Sequence, residues 1–266
     1  VDFVKSNFIK FYTSEKKDVE SILVKLCNDN SIYNKRVSPR KKMFIFDFEI
    51  PNWTGIFKRS FIQNNHILHN ETPGASFQDT GFWFSTFACA SKCAFLDEAF
   101  YHYKIDNPAS SINNDKKVYC VCDEYKFIKQ FLESKKLFKK FSSVYYYFMF
   151  VHYRGTTYRI NEKEKNAFMD KFREDFIKPY QEKTLNLSRF KPSEINELYS
   201  VLKVSPLTKI QKIVSFASNL LWIAKHRSLR QSLKIFFDKI IIVLCKISKT
   251  NSAKSKHSFL NGTEDL

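Results

Sequence analysis

The first residues, VDFVKSNF, put apolar side chains at 1, 3, 4 and 8 and predict a strand over residues 1–12. Val19, Ile22, Leu23 and Leu26 then fall at helical spacing, which predicts a short helix over residues 18–28. FIFDF, residues 44–48, reads as a short strand ended by Pro51. Residues 53–64 read as a loop entering a helix, with Ile56, Phe57, Ser60 and Phe61 recurring at helical spacing. Residues 79–91 form the next helical pattern, with Asp79 or Ser76 as its N-cap. Residues 94–103 (AFLDEAFYHY) read as extended, 108–114 as a polar loop, and 118–136 as helix again.

Near residue 137 the pattern changes: lysine and aromatic residues dominate and glycine almost vanishes. Phe168, Phe172, Phe176 and Tyr180 recur at i+4 and predict a helix with a single aromatic stripe, capped by Asn161. Pro192 opens another helix at its first position, and Pro206 ends it. Two basic amphipathic stretches follow, residues 207–226 and 229–247. In the first, Leu207, Ile210, Ile213, Val214, Ala217, Leu220, Leu221 and Ala224 share a face, with Lys209, Lys212 and Lys225 off it. The tail beyond Lys249 reads as disordered. Strands mixed with helices up to about residue 136, followed by helix alone, predict an α/β unit with a helical appendix.

Composition adds partners and compartment. Hydrophobic residues make up 44% of the chain and aromatic residues 17%, enough for a packed core and too much for a disordered chain. The net charge of +17 is uneven: residues 200–266 carry twelve Lys/Arg against three Asp/Glu. Such a basic end suits a polyanion, whether nucleic acid, an anionic membrane surface or phosphorylated ligands. The six cysteines (Cys27, Cys89, Cys93, Cys120, Cys122, Cys245) lie scattered among apolar residues without a signal peptide, and read as reduced thiols of a cytoplasmic protein. Their CxxxC and CxC spacings fit structural zinc poorly. The apolar run at residues 240–245 has six members and is far too short to span a bilayer. Because the chain opens at Val1 inside a strand pattern, a preceding segment is expected, either removed or belonging to a longer protein.

The candidate chemistry gathers in one stretch. Three of the five glycines (Gly55, Gly74, Gly81) fall between residues 55 and 81, beside the carboxylate Asp79 in ETPGASFQDTGFWF. WTGIFKR (53–59), NETPGASFQDTGFWF (70–84) and FYHYKIDNPASS (100–111), in this order, resemble the second half of a family-two bacterial glycosyltransferase that builds capsular or surface polysaccharide. The resemblance implies a GT-A fold, a Rossmann-like sheet that binds a nucleotide-sugar. Residues 1–136 would be its acceptor-side part, 137–205 a helical extension, 206–248 basic amphipathic helices and 249–266 a tail. It also implies a donor-binding half before Val1, carrying the Asp-x-Asp motif that holds Mn²⁺ or Mg²⁺. The lookalike here, Asp47-Phe48-Glu49, lies after the expected position and is read as a solvated or strand-end pair.

Under this resemblance Asp79 takes the base position, removing the proton of an incoming hydroxyl while the nucleotide diphosphate leaves. Gln78 stands where many relatives have Glu, which leaves a second carboxylate's role unfilled. Gly74 and Gly81 would let the backbone approach a sugar. Trp53 matches the acceptor-side aromatic residue, with core packing as the other reading of that ring. Tyr103, Lys104, Ser110 and Ser111 belong to the loop that closes on the diphosphate. Asp79 is equally an N-cap by local sequence, Lys58 and Arg59 read as a solvated helix face, and His102 as a structural histidine on a strand. The tyrosine-rich segment 145–158 reads as a helix packed under the catalytic unit rather than a base-stacking surface. The implied activity is inverting transfer from a nucleotide-sugar, a UDP-sugar foremost, to a hydroxyl of a glycan or lipid-linked glycan. It would take place at the inner face of the plasma membrane, reached through residues 206–248. The other class open to the sequence is a non-catalytic basic module that binds anionic membrane or nucleic acid.

Overall fold

The computed structural model describes residues 1–13, 19–48, 51–72, 77–106 and 118–226. Two compact units divide the chain, Val1–Asn219 and Leu220–Leu266. Of the second, only the helical stretch that ends at His226 is described. The predicted helix over 229–247, the tail beyond Lys249 and the polar loop 108–114 lie outside the described residues.

The first unit is mixed α/β. Its sheet is built on β1 (Phe3–Thr13), the strand that the opening alternation predicts. β5 (Cys93–Lys104) runs parallel to β1 along one edge, with Phe3 opposite Cys93 and Phe11 opposite Lys104. The other edge of β1 is shared between β4 (Gly55–Phe57), antiparallel to Phe3–Lys5, and β2 (Val19–Val24), antiparallel from Phe8 onward. The two-residue strand β3 (Arg36–Val37) closes the far side of β5. The β1/β5 register shifts on either side of Asn7. There the buried Asn7 amide donates to Asp97 O at 2.7 Å, and its oxygen accepts from Leu26 N and Tyr33 Oη, both at 2.9 Å. Every polar atom of that side chain is thereby satisfied, so the irregularity sits in the core without a desolvation penalty.

The helix expected over 18–28 is instead β2. Its apolar spacing fits a helix, but Ile22 and Leu23 are 57% and 53% exposed, so no buried helical face rewards that pattern, whereas β1 offers a ladder of backbone partners. FIFDF is likewise not a strand: Met43–Asp47 is a 3₁₀ turn with Met43 to Phe46 all buried. A short continuous apolar run marks burial without specifying a period. Phe46 is the hub of the core, with the rings of Trp83, Phe84, Phe87 and Phe141 at 5.2–5.5 Å.

Six helices complete this side of the chain: α1 (Arg59–Asn64), α2 (Gln78–Cys89), α3 (Cys120–Ser134), α4 (Phe138–Arg159), α5 (Glu162–Gln181) and α6 (Pro192–Leu202). α5 starts as predicted, the Asn161 side chain accepting from Glu164 N at 3.1 Å, and it buries Phe168, Phe172 and Phe176. α6 has Pro192 at its start but stops at Leu202, where Lys203 turns left-handed, several residues before Pro206. The tyrosine-rich segment is part of α4, where Tyr145, Tyr146 and Tyr153 are buried while Tyr158 is exposed. Tyr145 Oη donates to Tyr125 O at 3.0 Å, Tyr153 Oη donates to Asp175 at 2.8 Å, and Tyr125 Oη pairs with His152 Nδ1 at 2.9 Å. Burial, helped by the charge of Arg159, lowers the His152 pKa to about 4. The segments beyond residue 137 join the α/β part directly: Trp83 meets Phe148 edge-on at 5.2 Å, and buried Arg189 forms an ion pair with Asp47.

A seventh helix, α7 (Lys209–His226), runs from the first unit into the second. Its apolar face is not packed as a core face would be: Ile210, Ile213 and Val214 are 75%, 69% and 62% exposed, although Leu207 just before it is buried. Among the described residues, no helix is long and apolar enough to cross a membrane.

Candidate functional site

The first turn of α2 is the centre of the site. Phe77, not Asp79 or Ser76, occupies the cap position, in the left-handed conformation at φ 63° and without a side-chain cap bond. Asp79 therefore lies inside the first turn, exposed, and free of the capping duty that the sequence offered it. Gln78 closes the preceding loop: its amide donates to Thr72 O at 2.9 Å and to Thr72 Oγ1 at 3.3 Å. His69 braces the same turn, donating from Nδ1 to Gln78 O at 3.2 Å while its ring stacks on Phe82 at 4.5 Å. Phe82 in turn meets Phe57 edge-on at 5.0 Å, which ties α2 to β4.

Gly81 has a different task from the one expected of it. Its N–H donates to Glu124 Oε1 at 2.8 Å, and a Cβ at this position would stand 2.1 Å from that same oxygen. The missing side chain thus makes room for a carboxyl, not for a sugar. Glu124 comes from α3, is fully buried, and accepts a second hydrogen bond from Asn70 Nδ2 at 3.1 Å. Burial pushes its pKa up to about 7; the bonds from Asn70 and Gly81 oppose the rise, and the charges of Asp79 and Asp123 add to it. Sequence reasoning missed Glu124 although its signal was present: a lone carboxylate on the face of α3 that carries Val121, Tyr125, Ile128 and Leu132.

Trp53 stands on a 3₁₀ turn, Asn52–Thr54, that packs against α2, β1 and β5. Its ring lies edge-on to Phe8 at 4.9 Å and stacks with Tyr101 at 4.3 Å and with Tyr103 at 5.0 Å, 4° from parallel in the last case. The ring remains 37% exposed and walls a cavity of about 310 Å³ shared with Ile56, Phe100 and Tyr101. Trp53 is thus packed among rings yet partly exposed. Tyr103 and Lys104 end β5, where Ile105 N donates to Phe11 O at 2.9 Å and holds the strand tip in place; Lys104 is exposed. Gly74, Ser110 and Ser111 lie outside the described residues. Lys58 and Arg59 are exposed at the start of α1, and His102 is exposed beside Phe11.

The fit of a divalent metal can be tested on the donor set. Asp47 is committed to Arg189, and the described residues contain no group of three or more His, Cys, Asp or Glu side chains that could hold a metal ion. The described residues therefore do not fit the ion.

No protein-family model matches this chain, and no curated protein matches it.

Proposed function

We propose that this chain is the acceptor-side part of an inverting GT-A glycosyltransferase that moves a sugar from a nucleotide donor to a hydroxyl of a surface glycan. The observation that carries the reading is the state of Asp79: an exposed carboxylate in the first turn of α2, relieved of capping. Trp53 stands beside an apolar cavity. In the proposed step the acceptor hydroxyl gives its proton to Asp79 as its oxygen bonds to the anomeric carbon, and the bond from that carbon to the diphosphate breaks. Trp53 with Tyr101 offers flat faces for the C–H side of the acceptor sugar. In this reading Tyr103 and Lys104 would serve the diphosphate end, as would Ser110 and Ser111, which lie outside the described residues. The divalent ion and the rest of the donor site are expected from a donor-binding half outside this chain.

The test is turnover. The longest natural protein that carries this sequence is assayed with several UDP- and GDP-sugars and Mn²⁺, and transfer or slow hydrolysis of at least one donor is the expected result. Absence of turnover with every donor overturns the reading.

A second reading rests on α7. Ile210, Ile213 and Val214 form an exposed apolar stripe with Lys209 and Lys212 exposed alongside. This combination suits the surface of an anionic membrane, where an enzyme of lipid-linked glycans would work and where a purely binding module would also sit. Replacing Ile213 and Val214 together by Asp is expected to weaken binding to vesicles rich in anionic lipid by about tenfold or more, since burying each side chain in the interface is worth about 1 kcal/mol or more. The melting temperature should barely move, because neither side chain is buried. Equal vesicle binding by the double variant would remove α7 from the membrane account.

A further inference from the structure

We propose that Glu124 is the second carboxyl of the Asp79 site, a positioning residue that grips the first turn of α2 and whose ionisation governs proton removal there. Three observations carry this. The carboxyl is fully buried, yet it is aimed at the helix turn that bears Asp79 rather than at a cation. Both of its oxygens are held by neutral donors, Gly81 N–H and the Asn70 amide. And α2 carries glycine at a place where a side chain would collide with it. An apolar residue would have filled this position on α3 at no desolvation cost, and a buried carboxyl is a poor way to gain stability. The two neighbouring charges are both negative, Asp79 facing it from α2 and Asp123 beside it on α3; from the 69–72 loop the facing group is the Asn70 amide. A charge on Glu124 is therefore opposed by the charges of Asp79 and Asp123.

Glu124 reaches this turn of α2 from α3, across the helix pair. At low pH Glu124 is a neutral hydrogen-bonding strut. As pH rises through about 7 it gains charge behind the base, which favours transfer of the acceptor's proton onto Asp79.

That rate effect rests on the sugar-transfer reading, but the coupling between the carboxyls does not, so two measurements separate them. The first follows the Glu124 carboxyl carbon by NMR in the 266-residue protein, the signal being assigned by its loss in Glu124→Gln. A midpoint near 7 is expected, falling by about half a unit or more in Asp79→Asn. A midpoint in the ordinary carboxylate range, or one that Asp79→Asn leaves in place, overturns the proposal. The second uses the natural full-length protein. Its transfer rate should climb several-fold between pH 6 and 8, and Glu124→Gln, which keeps an acceptor for Gly81 N–H, should flatten that climb. A strut without a titrating role leaves the climb unchanged in Glu124→Gln, and that result also overturns the proposal. If no donor is turned over while the Glu124 midpoint still falls in Asp79→Asn, the sugar-transfer reading falls and the electrostatic link from Asp79 to Glu124 stands.

Discussion

Under the proposed function, Asp79→Asn is expected to lower sugar transfer by about a thousandfold while leaving fold and donor affinity in place, within the range that loss of a general base produces. The substitution is chosen for its shape. Asn keeps the size and hydrogen-bonding reach of the side chain and removes only its ability to hold a proton. The structure makes the fold a fair control: Asp79 is exposed, has no hydrogen bond among the described residues, and leaves the cap of α2 to Phe77. The stability cost is then limited to the lost interaction of a carboxylate with the helix N-terminus, about 0.3–1 kcal/mol. A melting temperature within a few degrees of the parent, together with a dissociation constant for the donor nucleotide near the parent value, assigns the lost rate to chemistry. If Asp79→Asn unfolded the protein, Asp79 would be a structural residue after all.

Gly81→Ala carries the largest expected effect on stability, a loss of roughly 2–4 kcal/mol in chemical denaturation. The new methyl carbon would stand 2.1 Å from Glu124 Oε1, 3.1 Å from Glu124 Cδ and 3.2 Å from Phe127 Cδ1. Glu124 has no cheap retreat, since it is fully buried and any swing gives up its bonds to Gly81 N–H and Asn70. Leaving that carboxyl buried without partners costs more than the clash it relieves. Alanine's better helix propensity, worth about 1 kcal/mol over glycine, recovers only part of the loss. Adding Glu124→Ala should recover much of what Gly81→Ala loses, because it removes the atom that the methyl meets. If Gly81→Ala were neutral or stabilising, Gly81 would not be the seat of the carboxyl.

Much of the fold is legible in the chain where period and burial agree. β1, β5, α3, α5 and the proline start of α6 follow from alternation, 3.6-residue spacing and capping residues. The misreadings share one physical cause: a short window carries too little pattern to outweigh tertiary partners. Val19 to Leu26 has helical spacing, yet the free edge of β1 claims it as a strand. FIFDF announces burial, and the crowded rings around Phe46 wind it into a 3₁₀ turn. The apolar stripe of α7 was legible as a stripe, but its exposure was not, because periodicity fixes a face and never says what covers it.

The site divides the same way. Asp79 and Trp53 could be read from the motif residues around them. Glu124 lies more than forty residues along the chain from Gly81, and no local window joins the two. A clue did exist in a carboxylate on the apolar stripe of α3, a position that carries a charge only when something opposite answers it. The purpose of Gly81 followed only once that partner was in view.

The central claim is that one base, Asp79, drives a single displacement at the anomeric carbon. The measurement that tests it most directly is the anomeric configuration of the transferred sugar, read by NMR on fresh product from the donor that the natural full-length protein turns over. The account predicts inversion relative to the donor, with no measurable product from Asp79→Asn over the same period. Retention of configuration, or equal turnover by parent and Asp79→Asn, would contradict it.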